Sequence, residues 1–280
     1  MLLGIVAGVS LVSALLVCAG TGVFADYGWL WVLPVSFVGS FVVFAGLVFL
    51  FIWAACAFVR LDVPQKKDSP FYRRLTYLLA EAAITIVQAK VHTVGLEKTP
   101  KEGRFLLVCN HLNNLDPVVL LHFFNKSQLA FISKRENTTM FLVGKLMHKL
   151  MCQLVHREND REALKTILRC VELIREDQVS VAVFPEGYVS VSGKLLPFRH
   201  GVFKIAQKTQ VPIVVCTLKN TQYAFHNALR LKPTDIHLHL LDVIYPDSYM
   251  GQTTVQLGER IYQMMLDDLG PDHAPLPKNA

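Results

Sequence analysis

Residues 1–59 contain no lysine or arginine and only one acid, Asp26. A stretch so poor in charge is not a solvated arm or a nucleic-acid-binding tail. All 28 Lys+Arg and 21 of the 22 Asp+Glu lie beyond it, so the rest of the 280-residue chain carries a formal +7. The chain also has no C-x-x-C pair. Cys18 and Cys56 sit in apolar runs, and Cys109, Cys152, Cys170 and Cys216 stand singly in hydrophobic contexts. That pattern supports neither a disulfide framework nor a zinc site, and fits a reducing compartment. There is no G-x-S-x-G elbow, internal repeat or low-complexity tract.

What fills residues 1–59 is apolar. Leu2 to Phe24 and Leu30 to Val59 are uncharged runs, long enough to cross a hydrocarbon layer of about 30 Å. Tyr27, Trp29 and Trp31 supply interfacial aromatics between them, so residues 1–59 are expected to form a helical hairpin anchor. Arg60, Lys66, Lys67, Arg73 and Arg74 follow at once. By the positive-inside rule the large domain faces the cytosol. A cleaved signal peptide is disfavoured, because the n-region lacks a cation. A hairpin that enters without fully crossing is the rival geometry, since Gly20, Gly22 and Pro34 interrupt the runs.

Residues 60–90 are expected to be an amphipathic connector: Phe71, Leu75, Leu78, Leu79, Ala82 and Ile86 recur at helical spacing from Pro70 to about Ala89. Across residues 91–270, β-rich runs at 105–109, 129–133, 179–184 and 213–218 alternate with helical patterns near 117–124, 138–151, 160–175 and 201–209. Such alternation predicts an α/β domain with a partly parallel sheet. Asp235 to Val243 alternates and predicts a late edge strand. Gly251 to Leu269 predicts a final helix, and residues 271–280 a tail. A basic domain behind an apolar anchor suits an anionic partner, with membrane lipid or a phosphorylated substrate ahead of nucleic acid, for which no basic-aromatic recognition pattern exists.

The candidate chemistry lies where strands end, as open α/β sheets place it. After residues 105–109 comes Asn110-His111-Leu112-Asn113-Asn114-Leu115-Asp116. His111 has the titration range of a general base, and Asp116 can fix its tautomer. Five residues apart, the two would point about 140° apart on a continuous helix, so pairing them requires a turn. The alternative role for Asp116, followed by Pro117, is a helix cap. With no serine, cysteine or threonine nucleophile nearby, the pair suggests direct activation of a substrate hydroxyl. Phe184-Pro185-Glu186-Gly187 follows the strand Val179 to Val183, with Glu186 suited to a polyol and Gly187 to close backbone approach. Lys134, Arg135, Arg157 and Arg199 stand at further element ends, where they could converge on a phosphate or form a basic face for anionic lipid. His237 and His239 lack a third ligand at sensible spacing for a metal.

Together these blocks resemble the 1-acyl-sn-glycerol-3-phosphate acyltransferase (glycerolipid acyltransferase) family over roughly residues 90 to 218. Asn110-His111 through Asp116 matches the family's NH-x4-D motif, implying His111 and Asp116 as catalytic. Lys134-Arg135-Glu136, Gly144 and Arg157 resemble blocks associated with the acceptor phosphate. Phe184 to Gly187 is similar to the start of FPEGTRS, and Val211-Pro212-Ile213 resembles the last block. The resemblance implies a membrane-bound α/β acyltransferase that moves a fatty acyl group from acyl-CoA or acyl-carrier protein to the free hydroxyl of the lysophospholipid 1-acyl-glycerol-3-phosphate, giving phosphatidic acid, with no metal or organic cofactor. It implies substrate contacts from Asn110, Lys134, Arg157, Glu186, Gly187 and Arg199. The chain departs from the family at Tyr188-Val189, where Thr-Arg is typical. The acceptor is therefore bound differently or is another lipid. An acyltransferase for another lysophospholipid or lipid alcohol, and a non-catalytic lipid-binding module, are the rival functions.

Overall fold

The computed structural model describes residues 1–155 and 159–274, in two compact units, Met1–Val63 and Pro64–Ala280. The first unit is a helical hairpin of α1 (Leu2–Thr21) and α2 (Trp29–Ala57). Both are long and apolar enough to cross a membrane. Gly22, at φ 71°, takes the left-handed conformation that ends α1. The hairpin closes on small side chains: Ser10, Ala14 and Cys18 are buried along α1, and the Ser40 hydroxyl reaches the Ser10 carbonyl at 3.1 Å.

The second unit runs α3 (Pro70–Ile86), β1 (Ala89–Val94), β2 (Leu106–Cys109), α4 (Asp116–Phe123), β3 (Leu129–Lys134), α5 (Phe141–Lys149), β4 (Gln153–Val155), α6 (Asp160–Arg175), β5 (Ser180–Val183), α7 (Lys204–Thr209), β6 (Ile213–Lys219), α8 (Ala224–Leu229), β7 (Thr234–Ile244) and α9 (Thr254–Leu269). The strands form one sheet in the order β1-β7-β6-β2-β5-β3-β4. Every neighbouring pair is parallel except β6 with β7. In the central strands both faces are buried, hence their continuous apolar runs. Leu106 and Val108 face a core completed by α6, α7 and α9, whereas Leu107 and Cys109 face one completed by α4 and α8.

Three expectations need correction. The strand expected at the sheet edge, β7, lies one place in, because Ala89–Val94 pairs in parallel along its outer side. That segment is mostly exposed and polar, so it gives little hydrophobic signal. The connector helix stops at Ile86 rather than Ala89: Gln88 turns the chain at φ 54° into β1. The helix expected over 138–151 is a 3₁₀ turn at Arg135–Thr139 followed by α5.

Candidate active site

β2, β3, β5 and β6 all end at one edge of the sheet, and the candidate residues gather there. Asn110 is buried, and its side-chain amide does the work of a backbone peptide. Nδ2 donates to the Leu218 carbonyl at 2.9 Å and Oδ1 accepts the Leu218 N–H at 2.7 Å. This extends the β2–β6 ladder by one residue and fixes where the chain leaves the sheet. Asn110 thus positions the loop rather than facing the cavity expected to hold substrate.

The next residues form a turn that brings His111 and Asp116 together despite their spacing. The Asp116 Oδ2 atom accepts from His111 Nδ1 at 2.8 Å, from the Leu112 N–H at 2.6 Å and from the Asn113 N–H at 2.8 Å. Asp116 begins α4, but its carboxylate is turned back into this loop and caps no helical N–H. It is fully buried, and its Oδ1 has no hydrogen-bond partner among the described residues. The imidazole is therefore held with Nδ1–H toward a carboxylate, leaving Nε2 to the cavity that His111 lines. The ring lies parallel to Phe184, with centroids 4.1 Å apart.

Glu186 is expected to hold a polyol, but both its oxygens serve the backbone. Oε1 accepts the His111 N–H at 2.6 Å and Oε2 the Leu196 N–H at 2.8 Å. Burial is the largest influence on this carboxyl and pushes its pKa up to about 7, against the two N–H donors. Gly187 follows at φ 76°, a conformation that strains other residues, and a Cβ there would lie 2.9 Å from Arg199 Nε and oblige the guanidinium to shift. The Arg199 guanidinium lies over the Tyr188 ring, 5.4 Å from its centroid, and the Arg199 backbone N–H donates to the Pro185 carbonyl at 2.8 Å. The Ser190 N–H closes the ring of loops on the His111 carbonyl at 2.8 Å.

His111, Lys134, Gly187 and Arg199 line one cavity of about 960 Å³. Its polar lining includes the histidine and the two cations, and the rest is mainly apolar, with Leu79 and Ala83 of α3, Leu121 of α4 and Leu142 and Leu146 of α5. Arg157 lies outside the described residues. His237 and His239 are away from this cavity, and His239 Nδ1 is paired with Asp268 at 2.9 Å. Phe184 and Tyr188 were missed as site residues. Their sequence signal is their place in the block after β5, flanking the charged and glycine positions.

Residues 90–219 match the family model described as Acyltransferase. A Cocos nucifera protein named 1-acyl-sn-glycerol-3-phosphate acyltransferase is 29% identical over 174 residues, which is 62% of this chain and 56% of that protein. A protein of the same name from Borreliella burgdorferi is 26% identical over 63% of this chain and 73% of its own length. The chain thus spans little more than half the length of the first of these relatives. The crystal structure of the 1-acyl-sn-glycerophosphate (LPA) acyltransferase PlsC from Thermotoga maritima shares the fold, with a TM-score of 0.60 and 22% identity over 74% of this chain and 81% of that one.

Proposed function

We propose that the chain, whose residues 90–219 match the acyltransferase family model, moves a fatty acyl group from a thioester to the free hydroxyl of a lysophospholipid at the membrane. The observation that carries this reading is the His111–Asp116 pair, 2.8 Å apart, with His111 lining a large, mainly apolar cavity. Nε2 of His111 takes the hydroxyl proton as the oxygen attacks the thioester carbonyl. Asp116 stabilises the imidazolium. The carbon–sulfur bond then breaks, and the leaving thiolate recovers the proton from Nε2. The apolar wall accommodates an acyl chain. Lys134 and Arg199 hold the acceptor's anionic head, with Arg199 standing in for the arginine absent at Val189. Asn110, Glu186 and Gly187 act as positioning residues. Two apolar helices followed by a cationic run support an integral membrane protein with this domain on the cytosolic face.

The acceptor class is tested by offering the purified full chain an acyl-CoA or an acyl-carrier-protein thioester with either lysophosphatidic acid or its phosphate-free counterpart, monoacylglycerol. The phosphorylated acceptor is expected to be preferred. Arg199→Ala is expected to raise its KM by roughly tenfold or more, the worth of one charged hydrogen bond, and to leave the donor KM unchanged. The Tyr188-Val189 pair favours a second reading, a different acceptor head. An equal rate with monoacylglycerol, together with an unchanged KM in Arg199→Ala, would select that reading.

A further inference from the structure

We propose that the turn and short helix after β6, residues 221–232, form a second membrane-contacting surface that docks on anionic lipid at the edge of the sheet that carries His111. β6 runs parallel to β2, so this segment emerges at the edge of the sheet that carries His111. A Cβ on Gly193, in the loop after β5, would lie 3.8 Å from Gln222 Nε2, which sets that loop directly against the segment.

The inner face of α8 is small and packed, with Ala224 buried and Ala228 against the core. Its outer face carries Phe225 and Leu229, one turn apart. Leu229 is 88% exposed, Leu231 81%, and Val191, at the tip of the adjoining loop, 95%. Tyr223 and Phe225 are also exposed. Isolated exposed leucines need no explanation, but a contiguous cluster does.

Leu231 is the telling residue. The Leu231 N–H donates to the Ala228 carbonyl and the Lys232 N–H to the Asn227 carbonyl, which is the left-handed end to a helix that glycine or asparagine occupies at lower cost. Leu231 takes φ 53° there and then projects into solvent. Its side chain does nothing for the fold, so its use lies outside the fold.

The charge around the cluster names the occupant. From Lys219 to Thr234 there are three Lys/Arg and no Asp or Glu. Among the described residues at this edge the exposed cations Arg135, Arg199, Arg230 and Lys232 face the exposed acids Glu136, Asp160 after β4 and Asp235 at the start of β7, and the cations of the 221–232 segment itself have no acid between them. The opposite edge is mixed in sign, with Arg104 paired to Asp177 at 2.6 Å. Exposed aromatic and aliphatic side chains flanked by cations suit the headgroup layer of an anionic bilayer. Such a surface would let a lysophospholipid pass from the bilayer to His111 without crossing water.

The test uses the full chain in vesicles of equal parts phosphatidylcholine and phosphatidylglycerol. A fluorophore is attached at Leu231→Cys or, on the opposite edge, at Glu176→Cys, and is quenched by nitroxides on the lipid chains. The wild-type protein, carried through the same labelling, gives the background. Quenching is expected at 231 and not at 176. Arg230→Gln with Lys232→Gln should reduce the docked fraction by roughly fivefold per charge, as expected for cations near an anionic leaflet. Equal quenching at the two sites would overturn the proposal. So would protection at 231 that follows protein concentration at constant lipid, which would make the occupant a second copy of this chain. Leu229→Ser with Leu231→Asn keeps the fold testable, because asparagine suits that φ. It should slow transfer to a bilayer-resident acceptor several-fold, as expected when the apolar contact is removed, and spare a short-chain acceptor dissolved in water. The proposal rests on the acyl-transfer reading only for the acceptor's being a bilayer lipid. A label in lipid on a protein that transfers nothing would refute that reading and leave this surface standing, and a label in water on an active protein would do the reverse.

Discussion

Glu186 binds two backbone N–H groups from separate loops, and one of them belongs to His111. Its influence on catalysis therefore runs through the histidine's position. In the folded protein its carboxyl titrates near 7 instead of 4.5, because burial outweighs those two hydrogen bonds. Between these values the folded chain holds a proton that the unfolded chain has released. Stability contributed at this site consequently falls as pH rises from about 4.5 to about 7 and is level above, a loss of about 3 kcal/mol. Glu186→Gln should abolish that dependence in thermal melts compared across the window. It should also lower kcat more than KM, because the amide can accept only one of the two N–H groups and frees the His111 loop. His111 and Asp116 were legible as a candidate pair from residue type and the resemblance to the NH-x4-D motif, although their spacing required a turn that the sequence did not disclose. The roles of Asn110 and Glu186 were not, because an Asn or Glu that substitutes for backbone hydrogen bonding reads in sequence like one that binds a ligand.

At the scale of elements, α3 depends on a buried ion pair. Arg73 is held by Asp68 at 2.6 Å and donates to the Leu129 carbonyl at 2.8 Å and the Leu150 carbonyl at 3.3 Å, clamping the helix to the starts of β3 and β4. α3 also supplies Leu79 and Ala83 to the cavity wall. Arg73→Ala leaves a buried carboxylate and two carbonyls unpaired. It should cost about 3–5 kcal/mol in denaturant unfolding and reduce activity with long acyl donors. An equal stability for Arg73→Ala would show that the clamp does not hold the helix. The sequence periodicity disclosed α3, α6 and the four central strands because each buries an apolar stripe or run. It did not disclose β1 and β4, since one is a mostly exposed six-residue strand and the other has only three residues. Their place in the sheet comes from ladder hydrogen bonds, which have no side-chain signature. Asp160–Arg175 was recovered to the residue because Asn159 caps it, accepting the Arg161 and Glu162 N–H groups.

The molecule as a whole divides its chemistry between an uncharged hairpin and a cationic α/β domain, and that division was visible in the charge distribution alone. The gathering of Lys134, Gly187 and Arg199 around His111 was not visible there, because residues separated by up to 88 positions meet only through the parallel strand order. The same order places the cavity lined by His111, Lys134, Gly187 and Arg199 on a single edge of the sheet. The most direct test of this account is the rate of acyl transfer from a long-chain acyl-CoA to lysophosphatidic acid by the full chain and by its His111→Ala variant, each shown by thermal melting to be folded. The account predicts that His111→Ala lowers kcat by at least about a hundredfold, the lower range for loss of a positioned base, with the melting temperature little changed. A folded His111→Ala protein that turns over at the wild-type rate would contradict it.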